Sequence, residues 1–358
     1  MTILHLIRSY GSNNPGGAEI NLTNLVKLSS NSLKTQNIIL SDYGIWKSSI
    51  KNSKYKLERH MRFSLIMRNI FIFNSQNIKT IHVHSNGFLM IYGFFLAIIF
   101  KATLIIKVTR IGEQSIFNRS KDKKFNIKVF IYRLLLKLFL KSKFVYVHLL
   151  TQSAVNIIQK STKNIIIFPN LIEKGEYDKS KKVENTFLIA SRLIKRKNID
   201  LTLQKLTSLE NFNQLTINII GTGPELNNLK IKYKEFSKNI FFKGRVEHGL
   251  INKFYIFSEY FINLSDSEGM SNSLIEAMSY GCKCIISDIP ENRDTAQDQA
   301  IYFDKNCKFM NKLIQAQKLD CEKISNFSNN QYSTDSINLS KIKELYKIEN
   351  NYSSRRVR

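Results

Sequence analysis

Short apolar runs rich in β-branched residues alternate with longer amphipathic stretches along most of this chain. Such runs are typical of strands buried on both faces of a parallel sheet, and the stretches between them have the apolar spacing of covering helices. The alternation therefore predicts βαβ units. In the first half the predicted strands are 2–7, 78–84, 103–109 and 144–150, and the predicted helices are 17–30, 61–73, 87–100 and 125–141.

The alternation stops once and then restarts. Residues 173–185 are polar and charged with no apolar period, and we predict a linker there. Because 358 residues suit two domains, we predict two Rossmann-like doubly wound α/β domains, 1–172 and 186–334, facing each other across a cleft. A C-terminal helix and basic tail follow at 335–358. The second series has strands at 186–191, 214–221, 239–244, 260–265 and 282–288, and helices at 198–208, 224–235, 248–258 and 272–280.

The positive charge is concentrated in the first half. The formal net charge is +26, and residues 1–175 hold 19 Lys and 7 Arg against 6 acidic residues, a net of +20. A split of this size predicts an anionic partner for the first domain: nucleic acid, a membrane surface or a phosphorylated substrate. A compositional bias towards Lys, Asn and Ile is the alternative, and it explains the concentration less well.

Cysteine usage and the first residues both predict a cytoplasmic protein. The four cysteines all lie in the second half at spacings unlike those of a zinc site, so reduced thiols are the simplest interpretation. The first ten residues lack the basic and apolar regions of a signal peptide. The most apolar segment, 87–100, is short for a membrane span and suits a buried helix.

Two glutamates follow the predicted strand 260–265, where a loop turns into a helix. Glu268 lies in the loop and Glu276 lies eight positions later on the helix. Backbone N–H groups at a helix start bind anions or sugar oxygens, and a carboxylate inside the helix can accept hydrogen bonds from ribose hydroxyls. The pair therefore indicates a site for a sugar and a nucleotide. Two ordinary acids favoured by the helix dipole are the alternative.

Two further segments place polar or flexible residues between a strand and a helix. Arg192 ends a predicted strand and Lys197 precedes the next helix, an arrangement that suits a diphosphate, with a solvated basic loop as the alternative. Gly16 and Gly17 allow the backbone to approach a phosphate or a sugar closely, although any tight turn can use such a pair.

Taken in order, these segments resemble the large retaining glycosyltransferase family known as family 4, which has the GT-B fold, and its bacterial polysaccharide-type members. The match covers the second domain almost throughout. In the first domain the glycine loop and the His-x-His strand end correspond. The matching segments are "GGAE" at 16–19, "PN" at 169–170, "SRLIKRKN" at 191–198, "GTGPEL" at 221–226, "KGRV" at 243–246 and "SEGMSNSLIEAMSYG" at 267–281.

The resemblance implies a nucleotide-sugar donor site in the second domain. Glu276 corresponds to the glutamate that holds the donor ribose, and Glu268 to the catalytic one that faces the transferred sugar. Arg192 and Lys197 correspond to the pair that neutralises the leaving diphosphate. The resemblance also implies that the backbone of Gly269, Met270, Ser271 and Asn272 surrounds the transferred sugar. The segment that receives the nucleotide base is Gly244, Arg245 and Val246.

The resemblance implies that the first domain binds the acceptor. Gly16 and Gly17 form the loop near the phosphates and the acceptor. His84 matches a histidine close to the reacting centre, and a core histidine is the alternative; His82, two residues earlier, is less favoured for that role.

The family chemistry implied is retention without a protein nucleophile, in which the leaving phosphate itself takes the acceptor proton. Cations and helix-start amides at that phosphate stabilise the transition state more than the ground state. Asp266-Ser-Glu268 looks superficially like an Asp-x-Asp metal motif, but the resemblance assigns Glu268 to the sugar. We therefore predict no essential metal ion and no cofactor, with a UDP-sugar as the co-substrate.

The chain departs from the family pattern at two places. Met270, Ser271 and Asn272 replace a more usual aromatic residue followed by Gly or Pro, which leaves the transferred sugar open. Thr109 and Arg110 replace a His-Asp pair, and Arg110 is either a contact for an acceptor phosphate or a surface arginine.

Segment 121–143 interleaves lysines with apolar residues at helical spacing, as in basic amphipathic helices that lie on anionic lipid. Packing of the apolar stripe on the sheet is the alternative. We hypothesise a peripheral enzyme on the inner face of the cell membrane that transfers a hexosyl or N-acetylhexosaminyl group to a lipid-diphosphate-linked glycan in surface polysaccharide biosynthesis. A nucleotide-sugar epimerase of the same fold, or less favourably a basic nucleic-acid-binding protein, is the alternative.

Overall fold

The protein is described from a computed structural model, which describes residues 1–10, 16–41, 44–51, 54–61, 77–85, 88–109, 127–337 and 339–346. The chain divides into two compact units. Unit 1 comprises Met1–Leu171 and the chain from Ile337 onward, and unit 2 comprises Ile172–Ser336. Each unit is a mostly parallel sheet packed against helices, so the predicted α/β class with two doubly wound domains is confirmed.

The strands of unit 1 are β1 (Thr2–Leu6), β2 (Gln36–Ser41), β3 (Gly44–Lys51), β4 (Lys54–Met61), β5 (Ile78–Val83), β6 (Thr103–Lys107), β7 (Val145–Leu149) and β8 (Ile165–Ile167). These described strands form one eight-stranded sheet in the order β4-β3-β2-β1-β5-β6-β7-β8. The six strands β2-β1-β5-β6-β7-β8 pair in parallel. Strands β3 and β4 form an antiparallel hairpin that pairs with β2 and extends that edge of the sheet. The strand order reverses at β1, and ligands bind outside the carboxyl ends of strands at such a switch point.

The described helices of unit 1 are α1 (Gly17–Leu33), α2 (Phe88–Ile99), α3 (Ile127–Leu140), α4 (Val155–Ile158) and α12 (Leu339–Tyr346). Helix α1 begins where Gly16 N–H donates to Glu19 Oε2 at 2.7 Å, which satisfies a backbone donor of the first turn. It ends at Lys34, whose φ of 51° is left-handed and stops the helix.

The two faces of the unit 1 sheet differ in chemistry, because successive side chains of a strand point to opposite faces. One face is apolar, with Leu4 and Leu104 packed in one cluster with residues of α2 and α3. The other face carries Ile3 and Ile105 and is covered by α1 and α12. That second face also holds a buried polar row that includes Asn37, His5, His82, His84, Lys107 and His148.

The strands of unit 2 are β9 (Val183–Ala190), β10 (Thr216–Ile220), β11 (Ile240–Gly244), β12 (Ser258–Asn263), β13 (Lys283–Ser287) and β14 (Ile301–Phe303). They pair in parallel in the order β11-β10-β9-β12-β13-β14. The order reverses between β9 and β12, whose carboxyl ends lead into the two segments richest in predicted site residues. The helices are α5 (Ile199–Thr207), α6 (Leu226–Lys232), α7 (His248–Phe257), α8 (Asn272–Ser279), α9 (Pro290–Ala296), α10 (Phe309–Gln317) and α11 (Cys321–Tyr332).

The unit boundaries differ from the predicted ones at both ends of unit 2. The predicted linker 173–185 is part of unit 2, because Gly175 exchanges two hydrogen bonds with the side chain of Asn329, at 3.0 and 2.9 Å. The predicted C-terminal helix does form, and it belongs to unit 1, where Ile342 and Leu345 are fully buried. The predicted helix 61–73 begins at the last residue of β4, and the rest of it lies outside the described residues.

Candidate functional site

The loop between β12 and α8 is held by a short polar network. Ser271 is the N-cap of α8, and its Oγ accepts a hydrogen bond from Leu274 N at 3.4 Å. Asn263, the last residue of β12, donates from Nδ2 to Ser271 Oγ at 3.2 Å and to Glu268 Oε1 at 3.3 Å. The strand end therefore fixes both the start of α8 and the carboxylate of Glu268.

Glu268 is buried and lies in an ion-paired cluster. Lys197 Nζ donates to Glu268 Oε1, and Arg196 Nη1 lies 3.6 Å from Glu268 Oε2. Burial alone would raise the pKa of Glu268, but the Lys197 ammonium, a hydrogen bond from Ser265 and the charge of Arg196 together outweigh it and lower the pKa below its ordinary value. Glu268 is therefore a carboxylate at neutral pH, able to accept hydrogen bonds from sugar hydroxyls.

Lys197 reaches Glu268 because of a turn between β9 and α5. Residues Lys195–Lys197 form a 3-10 turn that ends at Asn198, whose φ of 51° is left-handed. Asn198 Nδ2 donates to Leu264 O at 2.9 Å and to Asp266 Oδ1 at 2.6 Å, which ties this turn to the loop after β12. The turn after β9 and the loop after β12 thus form one site. Its contacting residues Lys197 and Glu268 are 71 positions apart in the sequence.

Glu276, on α8, has a different environment. Its Oε2 accepts a hydrogen bond from Tyr255 Oη at 2.9 Å, and Tyr255 is fully buried on α7 with its ring stacked on Tyr280. Desolvation raises the pKa of Glu276 to about 7, against the opposing effect of the Tyr255 hydrogen bond and with a contribution from the charge of Glu173. At neutral pH this carboxyl is therefore present in both its protonated and its charged form.

The segment that carries Arg192 is set by two glycines after β10. Gly221 has a φ of +135°, and a side chain there would collide with the carbonyl of Ser191; one at Gly223 would collide with the carbonyl of Leu193. The glycines let the turn after β10 pack directly on the segment after β9. Arg192 is exposed, and no described side chain pairs with its guanidinium. The arginine beside Glu268 is Arg196 instead.

The remaining predicted donor residues lie on loops at the carboxyl ends of unit 2 strands. Gly244 ends β11 with a φ of +67° and is followed by exposed Arg245 and half-buried Val246. In the loop before α8, Gly269 and Asn272 are half-buried and Met270 is 8% exposed. These positions are compatible with the implied base and sugar contacts, whose roles stay predictions.

The glycine loop of unit 1 leads into α1. Gly16 and Gly17 lie at the helix start, with the buried carboxylate of Glu19 accepting from Gly16 N and, at 3.4 Å, from Ser9 Oγ. The loop residues before them lie outside the described residues, as do Arg110 and the first part of segment 121–143.

His84 follows β5 directly and is buried, with 5% of its surface exposed. Its backbone N–H donates to Leu6 O at 2.8 Å, and its Nε2 lies 3.1 Å from His5 Nδ1. Burial holds the pKa of His84 well below the usual range, and the neighbouring His5 and Lys107 lower it further. The ring is therefore neutral at physiological pH.

Lys107 is the cation of the same row and has amide partners. Its Nζ donates to Asn21 Oδ1 at 3.2 Å and to Asn170 Oδ1 at 3.0 Å. Desolvation lowers the pKa of Lys107 to about 7. Among the described residues, one ring nitrogen from each of His5, His82 and His84 lies within 4.8 Å of the other two, close enough to be considered for a metal ion.

Sequence reasoning missed several residues that complete both sites. In unit 2, Arg196 directly precedes the predicted Lys197 in the sequence. Asn263 is a polar residue near the end of the predicted strand 260–265. In unit 1, His5 and His148 lie on predicted strands, and a polar residue recurring at the same end of several strands is the signal that could have found them. The residues missed are Arg196, Asn263, Tyr255, His5, Lys107 and His148.

Comparison with known proteins identifies the domain in unit 2. Residues 173–334 match the family model described as glycosyl transferases group 1. A 273-residue segment is 28% identical to the capsular polysaccharide biosynthesis glycosyltransferase CapH of Staphylococcus aureus, covering 71% of this chain and 70% of that protein.

Solved structures share the fold at low sequence identity. HepE of Anabaena, solved in complex with UDP and glucose, superposes with a TM-score of 0.68 at 13% identity, covering 97% of this chain and all of that one. The pneumococcal O-GlcNAc transferase GtfA, solved with UDP and GlcNAc, gives a TM-score of 0.61 at 17% identity, over 86% of this chain and 64% of that one. The sucrose-phosphate synthase of Thermosynechococcus elongatus gives 0.66 at 14% identity, over 99% and 97%.

These matches agree with the geometry of unit 2, where the ion-paired Glu268 and the start of α8 lie within the matched segment. Residues 173–334 carry a glycosyltransferase domain of the group 1 type, and the chain as a whole has the two-domain fold of GT-B glycosyltransferases.

Proposed function

We propose that this protein is a retaining glycosyltransferase of family 4 that transfers a sugar from a UDP-sugar to a hydroxyl of a glycan acceptor in surface polysaccharide biosynthesis. The observation that carries the proposal is the buried Glu268 carboxylate, paired with Lys197 and Arg196 beside the start of α8 in the group 1 domain. The similarity to CapH supports a polysaccharide product, and the UDP bound by HepE and GtfA supports a UDP-sugar donor.

The donor is held by the two glutamates in different ways. Glu268, already ionised, accepts hydrogen bonds from hydroxyls of the transferred sugar. Glu276 accepts hydrogen bonds from the two hydroxyls of the donor ribose, in the arrangement used at nucleotide sites of doubly wound domains. Since the pKa of Glu276 is about 7 in the free protein, two donor hydroxyls that hydrogen-bond to its charged form lower that pKa on binding.

Sugar transfer breaks the bond between the anomeric carbon and the diphosphate oxygen and forms a bond from that carbon to the acceptor oxygen. The acceptor proton passes to the leaving phosphate, so both events take place on one face of the sugar and the configuration is retained. Arg192, exposed and without a described partner, and Lys197 supply positive charge to the leaving diphosphate. Donor binding therefore competes with Glu268 for the Lys197 ammonium.

The proposed reaction needs no cofactor and no metal ion, because the developing charge on the diphosphate is met by these cations and by the backbone N–H groups of Gly269 to Asn272 at the start of α8. The measurement is sugar transfer after exhaustive treatment with EDTA. Undiminished turnover supports the proposal, and turnover restored by added Mg²⁺ or Mn²⁺ contradicts it.

The proposed acceptor is linked through a diphosphate to a lipid, which places the protein on the inner face of the cell membrane. Two contacting helices of unit 1, α2 and α3, expose apolar side chains: Phe95, Ile98 and Ile99 on α2, and Leu134 and Leu138 on α3. Exposed lysines accompany them at 101, 137, 141 and 143. Apolar side chains flanked by lysines match the boundary of an anionic bilayer in polarity and in charge.

Within the part of the chain that the structure describes, no helix has the length and apolarity needed to cross a bilayer. Flotation with vesicles tests surface binding. We expect the protein to float with anionic vesicles at low salt, and the double variant Leu134→Ser/Leu138→Ser to float about ten-fold less. Leu250→Ser, at an equally exposed leucine of unit 2, is the matched control. Equal flotation of all three proteins, or none by the wild type, contradicts the proposal.

The experiment that tests the activity is release of nucleoside diphosphate from a panel of nucleotide sugars, with and without membrane lipid extract. The proposal predicts release from one UDP-sugar, stimulated by lipid extract and abolished by Glu276→Ala. Glu259→Ala, at a glutamate near the start of β12, controls for loss of a carboxylate elsewhere in the unit. A changed sugar without nucleotide release indicates an epimerase instead, and turnover of no donor defeats the proposal.

A further inference from the structure

A hydrogen-bonded chain that begins at Asn37 determines where the protons of two histidines lie. Asn37 Nδ2 donates to Ser30 Oγ at 2.8 Å and to the hydroxyl and carbonyl of Thr35 at 3.2 and 3.4 Å. Because a carbonyl can only accept, this contact orients the amide with its nitrogen towards Thr35. Asn37 Oδ1 is then left to accept, from Ser29 Oγ at 3.3 Å and from His5 Nε2 at 2.9 Å. His5 therefore carries its proton on Nε2.

The same logic continues to His84. Burial lowers the pKa of His5 to about 4, so the ring holds one proton and its Nδ1 is a bare acceptor. His84 Nε2 lies 3.1 Å from that acceptor and must donate to it. Since His84 is also neutral, its Nδ1 keeps a lone pair. No described residue hydrogen-bonds to His84 Nδ1, and the residue stands directly after β5, at the carboxyl end of the unit 1 sheet.

We propose that His5 is a positioning residue that locks His84 in the Nε2–H tautomer, so that Nδ1 of His84 accepts a hydrogen bond from a substrate hydroxyl. The inference rests on the proposed function and on the family resemblance, which implies that His84 lies close to the reacting centre. A hydroxyl donates to this lone pair, whereas the other tautomer would direct an N–H at the substrate. His5 itself touches no substrate, because it is fully buried between His84 and Asn37.

A second histidine chain in the same row provides an internal comparison. His148 Nε2 donates to the carbonyl of Phe168 at 2.7 Å, so its Nδ1 accepts from His82 Nε2 at 3.1 Å. His82 Nδ1 in turn accepts from Tyr346 Oη at 3.4 Å. Both chains start at an atom that cannot donate, but this one ends on the C-terminal helix and makes no hydrogen bond to His84.

The tautomer is measured directly by long-range ¹H–¹⁵N NMR on protein labelled with ¹⁵N-histidine, without substrate. The chain has six histidines, and the signals of His84 are assigned from the spectrum of His84→Gln. The proposal predicts an unprotonated Nδ1 and a protonated Nε2 for His84 in the wild type. A protonated Nδ1 in the wild type overturns it, whatever the activity of the protein.

Two substitutions at His5 separate positioning from packing. In His5→Gln the side-chain oxygen can accept from His84 and the nitrogen can donate to Asn37, so the tautomer is kept; in His5→Leu neither is possible. We expect His5→Leu to give mixed His84 tautomers and to lower kcat about ten-fold, the effect of one hydrogen bond, with KM little changed. His5→Gln and the control His148→Gln should stay within about two-fold of wild type.

The outcomes distinguish this inference from the proposed function. Equal loss of kcat in His5→Leu, His5→Gln and His148→Gln shows that the row acts through packing alone and overturns the positioning role. If wild-type protein releases nucleotide from no donor, the transferase proposal fails, and the wild-type tautomer still decides the assignment of His5. If His5→Leu does not fold, the wild-type and His5→Gln spectra decide it.

Discussion

The carboxyl ends of the two sheets keep buried titratable groups in opposite ways. In unit 2, Glu268 remains charged because Lys197 and Arg196 lie against it. In unit 1, the buried histidines remain neutral, joined to one another, to amides and to a carbonyl, and no described hydrogen bond or ion pair connects them to a carboxylate. Glu268 is thus buried with its charge paired, whereas the four histidines are buried without charge. Lys107 of unit 1 and Glu276 of unit 2 lie outside this contrast, because burial moves the pKa of each to about 7.

This difference fits what each domain is proposed to bind. A nucleoside diphosphate brings charge, and paired ions can exchange partners with it. A neutral hydroxyl is better matched by a fixed donor or acceptor, because a free buried charge would have to be compensated before the hydroxyl arrives.

Removal of the charge on Glu268 should have the largest effect. In Glu268→Gln, Lys197 and Arg196 lose their counter-charge and the sugar hydroxyls lose a strong acceptor. We expect kcat to fall about 10²–10³-fold, the range for loss of one preorganised electrostatic contact. The measurement is nucleotide release with the preferred donor. Activity of Glu268→Gln within a few-fold of wild type would show that the ionic cluster only supports the fold.

Acidification should weaken unit 1 before unit 2. Burial lowers the pKa of His5 to about 4 and of His148 to about 3, against about 6.5 in an unfolded chain. The stability that depends on their neutral state is therefore complete above pH 6.5 and is lost as the pH falls towards 4, by about 1.4 kcal/mol per pH unit for each histidine. For Glu268, whose pKa is lowered, the corresponding loss begins only below about 4.5.

Trp46, the single tryptophan, lies in β3 of unit 1, so its fluorescence follows that unit in urea titrations. The free energy of unfolding from this signal should fall between pH 6.5 and 4.5, and His148→Gln should recover about 2 kcal/mol of the loss at pH 5. An unfolding free energy of unit 1 that is constant across this range contradicts the neutral state of the histidines.

Glu276→Gln should separate stability from activity. Because the pKa of Glu276 is raised to about 7, its contribution to stability is present below about pH 4.5 and is lost as the pH rises through 7. Glutamine keeps the hydrogen bond from Tyr255 without a charge. We expect this variant to gain about 1 kcal/mol of stability over wild type at pH 8 and none at pH 4, with donor binding weakened. Thermal unfolding at both pH values measures it, and lower stability at pH 8 would contradict the raised pKa.

Glu259 provides the smallest expected effect. It pairs with Lys283 at 3.0 Å near the starts of β12 and β13, at the end of the sheet opposite the candidate site. Glu259→Gln should change kcat less than two-fold and stability by about 1 kcal/mol, as for a largely buried ion pair whose side chains are 15% and 18% exposed. A large loss of kcat here would mean that any buried charge in unit 2 matters, and the comparison based on Glu268 would lose its meaning.

The sequence predicted the parts of the molecule that depend on local pattern. The central residues of β6, 104–106, and the second half of β9, 187–190, are continuous apolar runs, and the resemblance covers unit 2, so the fold class followed. The hairpin β3–β4 was not predicted, because its residues are polar and charged and its pairing with β2 depends on the edge of the completed sheet. The return of the last helix to unit 1 is a tertiary packing event that local pattern does not encode.

The sequence predicted which residues belong to the candidate site but not which of them contact one another. Glu268 and Lys197 were both found, yet their contact spans 71 residues and depends on the left-handed turn at Asn198. Arg192 and Arg196 both precede α5, and the sequence alone does not distinguish them. The turn that ends at Asn198 places Arg196 beside Glu268. The contact of His5 with His84 spans 79 residues and follows from strand order, which no spacing along the chain reveals.

The position of α12 has a consequence for synthesis of the protein. Ile342 and Leu345 complete the apolar cluster on the face of the unit 1 sheet that holds the histidines, and they are among the last described residues to leave the ribosome. All of unit 2 emerges before them. The nascent chain therefore carries an open, partly apolar sheet face while its second domain is already able to fold, and a chaperone that covers this face would act on unit 1 until α12 has emerged.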